Sequence, residues 1–248
     1  MDLRQRLAQG EDLTGLFVKT PATELVEVLA LSGLDFICLD TEHAAFDRRS
    51  LDQCLALARA LDLPALVRVA HTAQAEILQA LDGGAAGVVM PHVATAAMAA
   101  DAARWCRFGD GGRGFAGSTR SAGLATRTMP EVLALPQPLV IAQIEEPSGV
   151  AEVEGIVATP GIDSVFIGAA DLTVAYGVDS QAEPVVAQAR RRIFDAAAKA
   201  NMPVAVFLAA GSGIAGAREE GARLFFMSSD QGLLLAGARS LMKNSRGG

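Results

Sequence analysis

Eight short apolar runs punctuate the chain: TGLFV (14–18), FICLD (36–40), ALVRV (65–69), GVVM (87–90), LVIAQIE (139–145), SVFIG (164–168), VAVFL (from 204) and LFFMSS (224–229). Most are continuous rather than alternating, as expected of strands buried on both faces. Between them lie Ala- and Leu-rich stretches with helical spacing, such as LDQCLALARALD (51–62) and PVVAQARRRIFDAAAKAN (184–201). Strands alternating with helices predict parallel pairing through right-handed crossovers. Eight such units in 248 residues predict an α/β chain forming one (β/α)8 TIM barrel, a single domain over 1–248. A doubly wound open sheet is the alternative and normally has fewer strands. One connection breaks the rhythm. Residues 109–137, GDGGRGFAGSTRSAGLATRTMPEVLALPQ, are rich in Gly, Ser, Thr and Arg, and loops this long inside a compact domain are usually functional or disordered.

Composition narrows the class. Hydrophobic residues make up 51% and charged residues 20%, enough for a sizeable core and no sign of disorder. A net charge of −7 argues against nucleic acid as a main partner. The arginines at 190–192 read as the solvated face of a helix. No apolar run is long enough to span a bilayer, and MDLRQRLAQGEDL lacks the apolar region of a signal peptide. Cys38, Cys54 and Cys106 form no CxxC pair and read as reduced core residues. A soluble, cytoplasmic enzyme is expected.

In a barrel, chemistry sits at the C-terminal ends of the strands. The second run ends in Asp40 and leads to Glu42 and His43; the third carries Arg68 near its end. The fifth ends with Gln143 and Glu145, two apart and therefore on one side. The sixth runs into Asp171. Any one of these has an ordinary reading as a loop or solvated residue; their convergence on one rim is the signal. Glu145 and Asp171 make a two-carboxylate oxygen site suited to Mg²⁺ or Mn²⁺, with no Cys or His cluster at zinc spacing. Arg68 offers a bidentate fork for a carboxylate or developing enolate oxygen. His43 is then available as a general base, because imidazole titrates near neutrality. Together they describe proton abstraction next to a ketone and, in reverse, carbon–carbon cleavage.

The segments LDTEHAAFD, LVRV, LDGGAAGVVMPHV, RGF, IAQIEE and GIDSVFIGAADLTVAYG resemble the HpcH/HpaI class II pyruvate aldolases. That group includes the 4-hydroxy-2-oxoheptanedioate and 2-dehydro-3-deoxyglucarate aldolases. The likeness runs from about residue 3 to 243. It implies a (β/α)8 barrel, usually a homohexamer, that uses a divalent metal (Mg²⁺, Mn²⁺ or Co²⁺) and a pyruvate enolate. It makes His43 the base, Arg68 the transition-state stabiliser, and Glu145 and Asp171 the metal ligands. Gln143, Ala170, Asp171 and Arg68 would contact the pyruvyl unit. It also matches Asp82 to a carboxylate that raises the histidine's basicity. Asp82 precedes the fourth strand, so it is expected to reach the His43 of a neighbouring subunit, leaving Asp40 to orient the imidazole from within. The chain departs from the family pattern at Thr41 and Ala169 and in the wording of the long loop. That loop is expected to face the aldehyde, with Arg113 and Arg120 as candidate contacts for an acidic acceptor.

GSGIAG (211–216) spells a dinucleotide fingerprint, but too little chain follows it for a nucleotide-binding half. Neither NAD nor PLP is expected; a small anion site or a tight turn fits better. Lys19, at the end of the first strand, is a Schiff-base candidate that would leave the carboxylate pair unexplained. His71 and His92 follow the third and fourth strands and could equally line the mouth or sit in ordinary loops. Two other functions share this frame: an acyl-CoA lyase of the malyl or citryl type, and a non-catalytic barrel that binds an oxoacid.

Overall fold

The computed structural model describes residues 2–209 and 212–245. Eight parallel strands close into a barrel in chain order: β1 (Leu13–Val18), β2 (Phe36–Asp40), β3 (Ala65–Arg68), β4 (Gly87–Met90), β5 (Leu139–Ile144), β6 (Ser164–Ile167), β7 (Val204–Leu208) and β8 (Ala222–Ser229). β8 pairs back onto β1 and completes the ring. The expected (β/α)8 barrel is therefore present, with each predicted run on a strand and its bounds shifted by at most two residues.

Successive side chains point to opposite faces of a strand, and the burial pattern follows that period. On β2, Ile37 and Leu39 join the layer between sheet and helices, whereas Phe36 and Cys38 enter the barrel interior. Phe17, Phe36, Phe166 and Phe226 meet inside, with ring centroids 4.8 to 6.1 Å apart. Gly15 makes this possible. A Cβ there would lie 2.2 Å from a ring carbon of Phe36, so the ring occupies the space a β1 side chain would need. The helix Leu3–Ala8 closes the N-terminal end of the barrel, sending Leu3 and Leu7 into the interior cluster. The last helix, Asp230–Ser245, differs from the others: Asp230 alone is buried, while Leu234 and Leu241 are 76% and 72% exposed.

The 109–137 connection lies away from the mouth of its own barrel. It leads out of the helix Ala96–Trp105 and into the start of β5. A segment that follows a helix returns to the N-terminal end of the barrel, opposite the catalytic face. There Arg113 holds Asp82 with two hydrogen bonds of 2.6 and 3.1 Å, and Arg120 grips both oxygens of Asp52 at 2.8 Å. Neither arginine faces the mouth of its own barrel. Among the described residues no helix is long and apolar enough to cross a membrane.

Candidate active site

The inward period that fills the barrel with apolar groups ends, at the C-terminal rim, in polar ones. Phe36 and Cys38 are followed by Asp40, Leu66 by Arg68, and Leu139 and Ile141 by Gln143. On β1 the same step carries Phe17 to Lys19. Asp40 and Arg68 are register partners on neighbouring strands. Arg68 donates Nε to Asp40 Oδ1 at 2.9 Å and Nη2 to Oδ2 at 2.7 Å, a bidentate fork. Its guanidinium also lies over the Phe17 ring, 4.7 Å from the centroid. Burial works to raise the Asp40 carboxyl, but the hydrogen bonds and charge of Arg68 hold it below the ordinary carboxylate range. Among the described residues Nη1 of Arg68 has no hydrogen-bond partner, and the arginine borders the cavity at the mouth.

Asp40 does not orient the His43 ring. Besides Arg68 it accepts the backbone N–H groups of Glu42 and His43, both at 3.2 Å, and it lies 3.4 Å from Lys19 Nζ. Its two oxygens are engaged by strand β3 and by the turn, so Asp40 fixes the backbone that carries the imidazole and leaves the ring alone. The His43 side chain is about half exposed and lines the cavity, with Nε2 3.8 Å from Glu42 Oε2. Lys19, the Schiff-base candidate at the end of β1, also borders the cavity. His71 is exposed and away from it.

Across the mouth, Gln143 Nε2 donates to Glu145 Oε2, while Glu145 Oε1 accepts the backbone N–H of His92 at 2.7 Å. Burial pushes the Glu145 carboxyl above its ordinary value, and the charge of Asp171 adds to this, against the pull of its donors. The two carboxylates share the space over Gly168. A Cβ there would sit 3.0 Å from Glu145 Oε2, 3.4 Å from Asp171 Oδ2 and only 2.5 Å from Glu145 Cβ. A buried carboxylate beside a second one, in a hollow kept open by glycine, fits a cation. Gln143 Oε1, a buried acceptor without a hydrogen bond, strengthens the fit. His92 stands among the acids: Nε2 is 3.3 Å from Glu42 Oε1, and Nδ1 is 3.3 Å from Glu145 Oε1 and 3.0 Å from Glu146 Oε1.

The cavity encloses about 310 Å³ and is bordered by His43, Arg68, Gln143, Ala170 and Asp171 among others. Of the sequence-predicted site residues, Asp82 lies elsewhere, as do the loop arginines Arg113 and Arg120 and the exposed His71. Asp82 ends the helix Gln74–Asp82, before β4, and pairs with Arg113 at the opposite end of the barrel. Sequence reasoning passed over Phe17, which supports Arg68, and left His92 undecided. Phe17 was findable, since it precedes Lys19 by one inward step. Of the GSGIAG segment, Gly211 lies outside the described residues; Gly213 caps a seven-residue helix, Ile214–Glu220.

Residues 13–236 match the model of a family described as HpcH/HpaI aldolase/citrate lyase. A hydroxypyruvate/pyruvate aldolase of Paraburkholderia phytofirmans is 33% identical over 253 residues, covering 98% of this chain and 97% of that protein. A 5-keto-4-deoxy-D-glucarate aldolase of Klebsiella pneumoniae is 33% identical over 219 residues, 87% of this chain and 85% of the relative. The crystal structure of an HpcH/HpaI aldolase/citrate lyase family protein from Burkholderia cenocepacia superposes with a TM-score of 0.93 at 36% identity, covering 98% of both chains.

Proposed function

The chain belongs to the HpcH/HpaI aldolase/citrate lyase family, and from that premise we propose how the mouth of its barrel works. It is a carbon–carbon lyase, an aldolase that reversibly splits a 4-hydroxy-2-oxo acid into pyruvate and an aldehyde. The observation that carries the mechanism is Arg68, clamped by Asp40 through Nε and Nη2, stacked on Phe17, and bordering the cavity that His43 also borders. In the cleavage direction the imidazole of His43 takes the proton of the C4 hydroxyl. The C3–C4 bond then breaks, the aldehyde departs, and its electron pair becomes the pyruvate enolate. Arg68 stabilises the charge on the enolate oxygen, a hydrogen bond that strengthens as the charge develops. A proton returned to C3 gives pyruvate. Gln143 and the backbone at Ala170 border the place where the pyruvyl unit would lie.

Glu145 and Asp171 would hold a divalent ion, with Mg²⁺, Mn²⁺ and Co²⁺ suited to an oxygen-rich set. When bound, it supplies Lewis acidity to the ketone. We also propose a cytoplasmic homohexamer. Its supports are the exposed leucines of the last helix and three buried free cysteines, among them Cys106, whose thiol burial pushes up to about 12.

Exchange of the pyruvate methyl protons in deuterated water tests the reaction without knowledge of the aldehyde. Exchange should require Mn²⁺ or Mg²⁺, stop with chelator, and fall at least ~10²-fold in His43→Ala, as loss of a general base does. Exchange that persists in chelator and leaves a borohydride-trapped adduct on Lys19 would replace this reading with Schiff-base chemistry.

A further inference from the structure

We propose that Lys19 is a specificity-determining residue: its ammonium, with the Ser229 hydroxyl on the neighbouring strand, binds an oxyanion, a carboxylate or a phosphate, at the far end of the aldehyde. The inference rests on the aldolase reading above and adds a substrate class to it. In the closed order β1 to β8 that reading uses only part of the rim. β2 and β3 bring His43 and Arg68, and β5 and β6 lead to Gln143, Glu145 and Asp171. The sector formed by β7, β8 and β1 is left, and it borders the same cavity through Phe207, Ser229, Lys19 and Phe17. Phe17 and Ser229 are register partners, so the two strands present these groups side by side. With pyruvate held between Arg68 and the paired carboxylates, this sector is the space that remains for the rest of the substrate.

The donors of this sector have no protein acceptor to match them. Lys19 Nζ lies 3.4 Å from Asp40 Oδ2 and makes no hydrogen bond among the described residues. The two oxygens of Asp40 already accept Arg68 Nε and Nη2 and two backbone N–H groups. Asp40 is thus one carboxylate shared by two cations, with Arg68 holding the better geometry. Ser229 Oγ accepts the Gly232 N–H at 3.1 Å, which leaves its own proton for a second acceptor. The lysine side chain is only 28% exposed, and a half-desolvated donor of this kind gains most from a charged acceptor. Arg190 also borders the cavity, but its Nη2 donates to Glu220 and its guanidinium lies 5.3 Å from the Phe194 centroid.

The backbone holds Lys19 in place for this role. Buried Asp230 accepts the N–H of Lys19 at 2.8 Å and of Thr20 at 3.0 Å, fixing the turn that leaves β1. Asp230 directly follows Ser229, so one side chain ties the strands of both donors together at the rim. In the same sector Phe207 is 47% exposed, and its ring centroid is 6.2 Å from that of Phe17. Two rings beside an ammonium and a hydroxyl suit a short carbon chain with a charged end. The cavity of about 310 Å³ is at the lower end of small-molecule sites, which keeps the acceptor short. An uncharged aldehyde would cover the ammonium without compensating it, and is expected to be the poorer acceptor.

The test is aldol addition of pyruvate, with Mn²⁺, to pairs of charged and neutral acceptors. Glyoxylate and succinic semialdehyde are each set against their neutral carboxamides, and glycolaldehyde phosphate against glycolaldehyde. The quantity read is the ratio of kcat/KM within each protein, which cancels a general loss of activity. In the wild type it should favour at least one charged acceptor roughly 10- to 100-fold, as a charge-assisted hydrogen bond does. The pair with the larger ratio identifies the oxyanion as carboxylate or phosphate. In Lys19→Met the ratio should fall to within about threefold of unity, whereas Lys19→Arg, which keeps the charge, should retain most of it. A wild-type ratio near unity for every pair overturns the proposal and leaves the aldolase reading intact. So does a ratio that survives in Lys19→Met, is lost equally in Lys19→Arg, or is abolished by Arg190→Gln instead. Absence of pyruvate methyl exchange in the wild type, with Mn²⁺ or Mg²⁺, overturns both.

Discussion

Arg68 is useful to an enolate only if its guanidinium stays where it is, and three groups hold it. Asp40 takes Nε and Nη2, Phe17 supports the face, and Glu42 Oε2 lies 3.3 Å from Nε. The arginine is 6% exposed, so a partner removed from it leaves a buried charge under-compensated. Asp40→Asn should therefore lower kcat/KM by roughly 10²- to 10³-fold, as loss of one oxyanion-stabilising donor does, and weaken pyruvate binding. The acidic limb of the pH–rate profile should stay in place, because Asp40 touches the His43 backbone and not its ring. A steady-state pH series on the two proteins checks this. A limb displaced by about one unit would mean that Asp40 tunes the imidazole after all.

At the level of elements, strand positions and the catalytic end were legible because both follow from period and topology. FICLD reads as a buried strand, and its inward set of Phe36, Cys38 and Asp40 then has to end in a carboxylate at the rim. The long connection follows a helix and precedes β5, so it belongs at the end opposite its own mouth and can face an aldehyde only at a neighbour's site. Its arginines looked available because their partners, Asp52 and Asp82, are 68 and 31 residues away in sequence. His92 was undecidable for a similar reason. Its neighbours come from the ends of β2 and β5, and its ring is aimed by a left-handed backbone that no local pattern announces. The closed end of the barrel gives a prediction of its own. Asp35 accepts from the Thr14 N–H and from Arg6 of the plugging helix, at 2.8 and 2.7 Å. Burial works against the carboxylate, but these donors outweigh it and hold Asp35 below its ordinary value. The stability this provides is complete above about pH 3.8 and is lost as pH falls toward the lower folded value. Asp35→Asn should lower Tm by about 5 °C at pH 7, from one or two kcal/mol of charged hydrogen bonding. The gap should close below pH 3.8; a constant difference in scanning calorimetry from pH 7 to 3 would show that the loss is packing alone.

For the whole molecule, the two ends of the barrel pose one problem together. His43 stands at the C-terminal rim, while Asp82 closes the helix before β4 at the other end, tied to Arg113. Within one chain they cannot act on each other. The proposed oligomer resolves this if the N-terminal end of one barrel meets the mouth of its neighbour. The exposed leucines of the last helix supply apolar surface for such an assembly. Subunit mixing distinguishes the two possibilities. His43→Ala and Asp82→Asn should each lower aldol cleavage by ~10²-fold or more when made alone. Co-expressed, they place an intact His43 beside an intact Asp82 from a neighbour, and in random assemblies that restores about a quarter of the sites. Recovery near that fraction, in an oligomer verified by light scattering, would assign Asp82 across the interface. If no activity returns while both variants still assemble, Asp82 serves its own subunit by anchoring the 109–137 segment through Arg113.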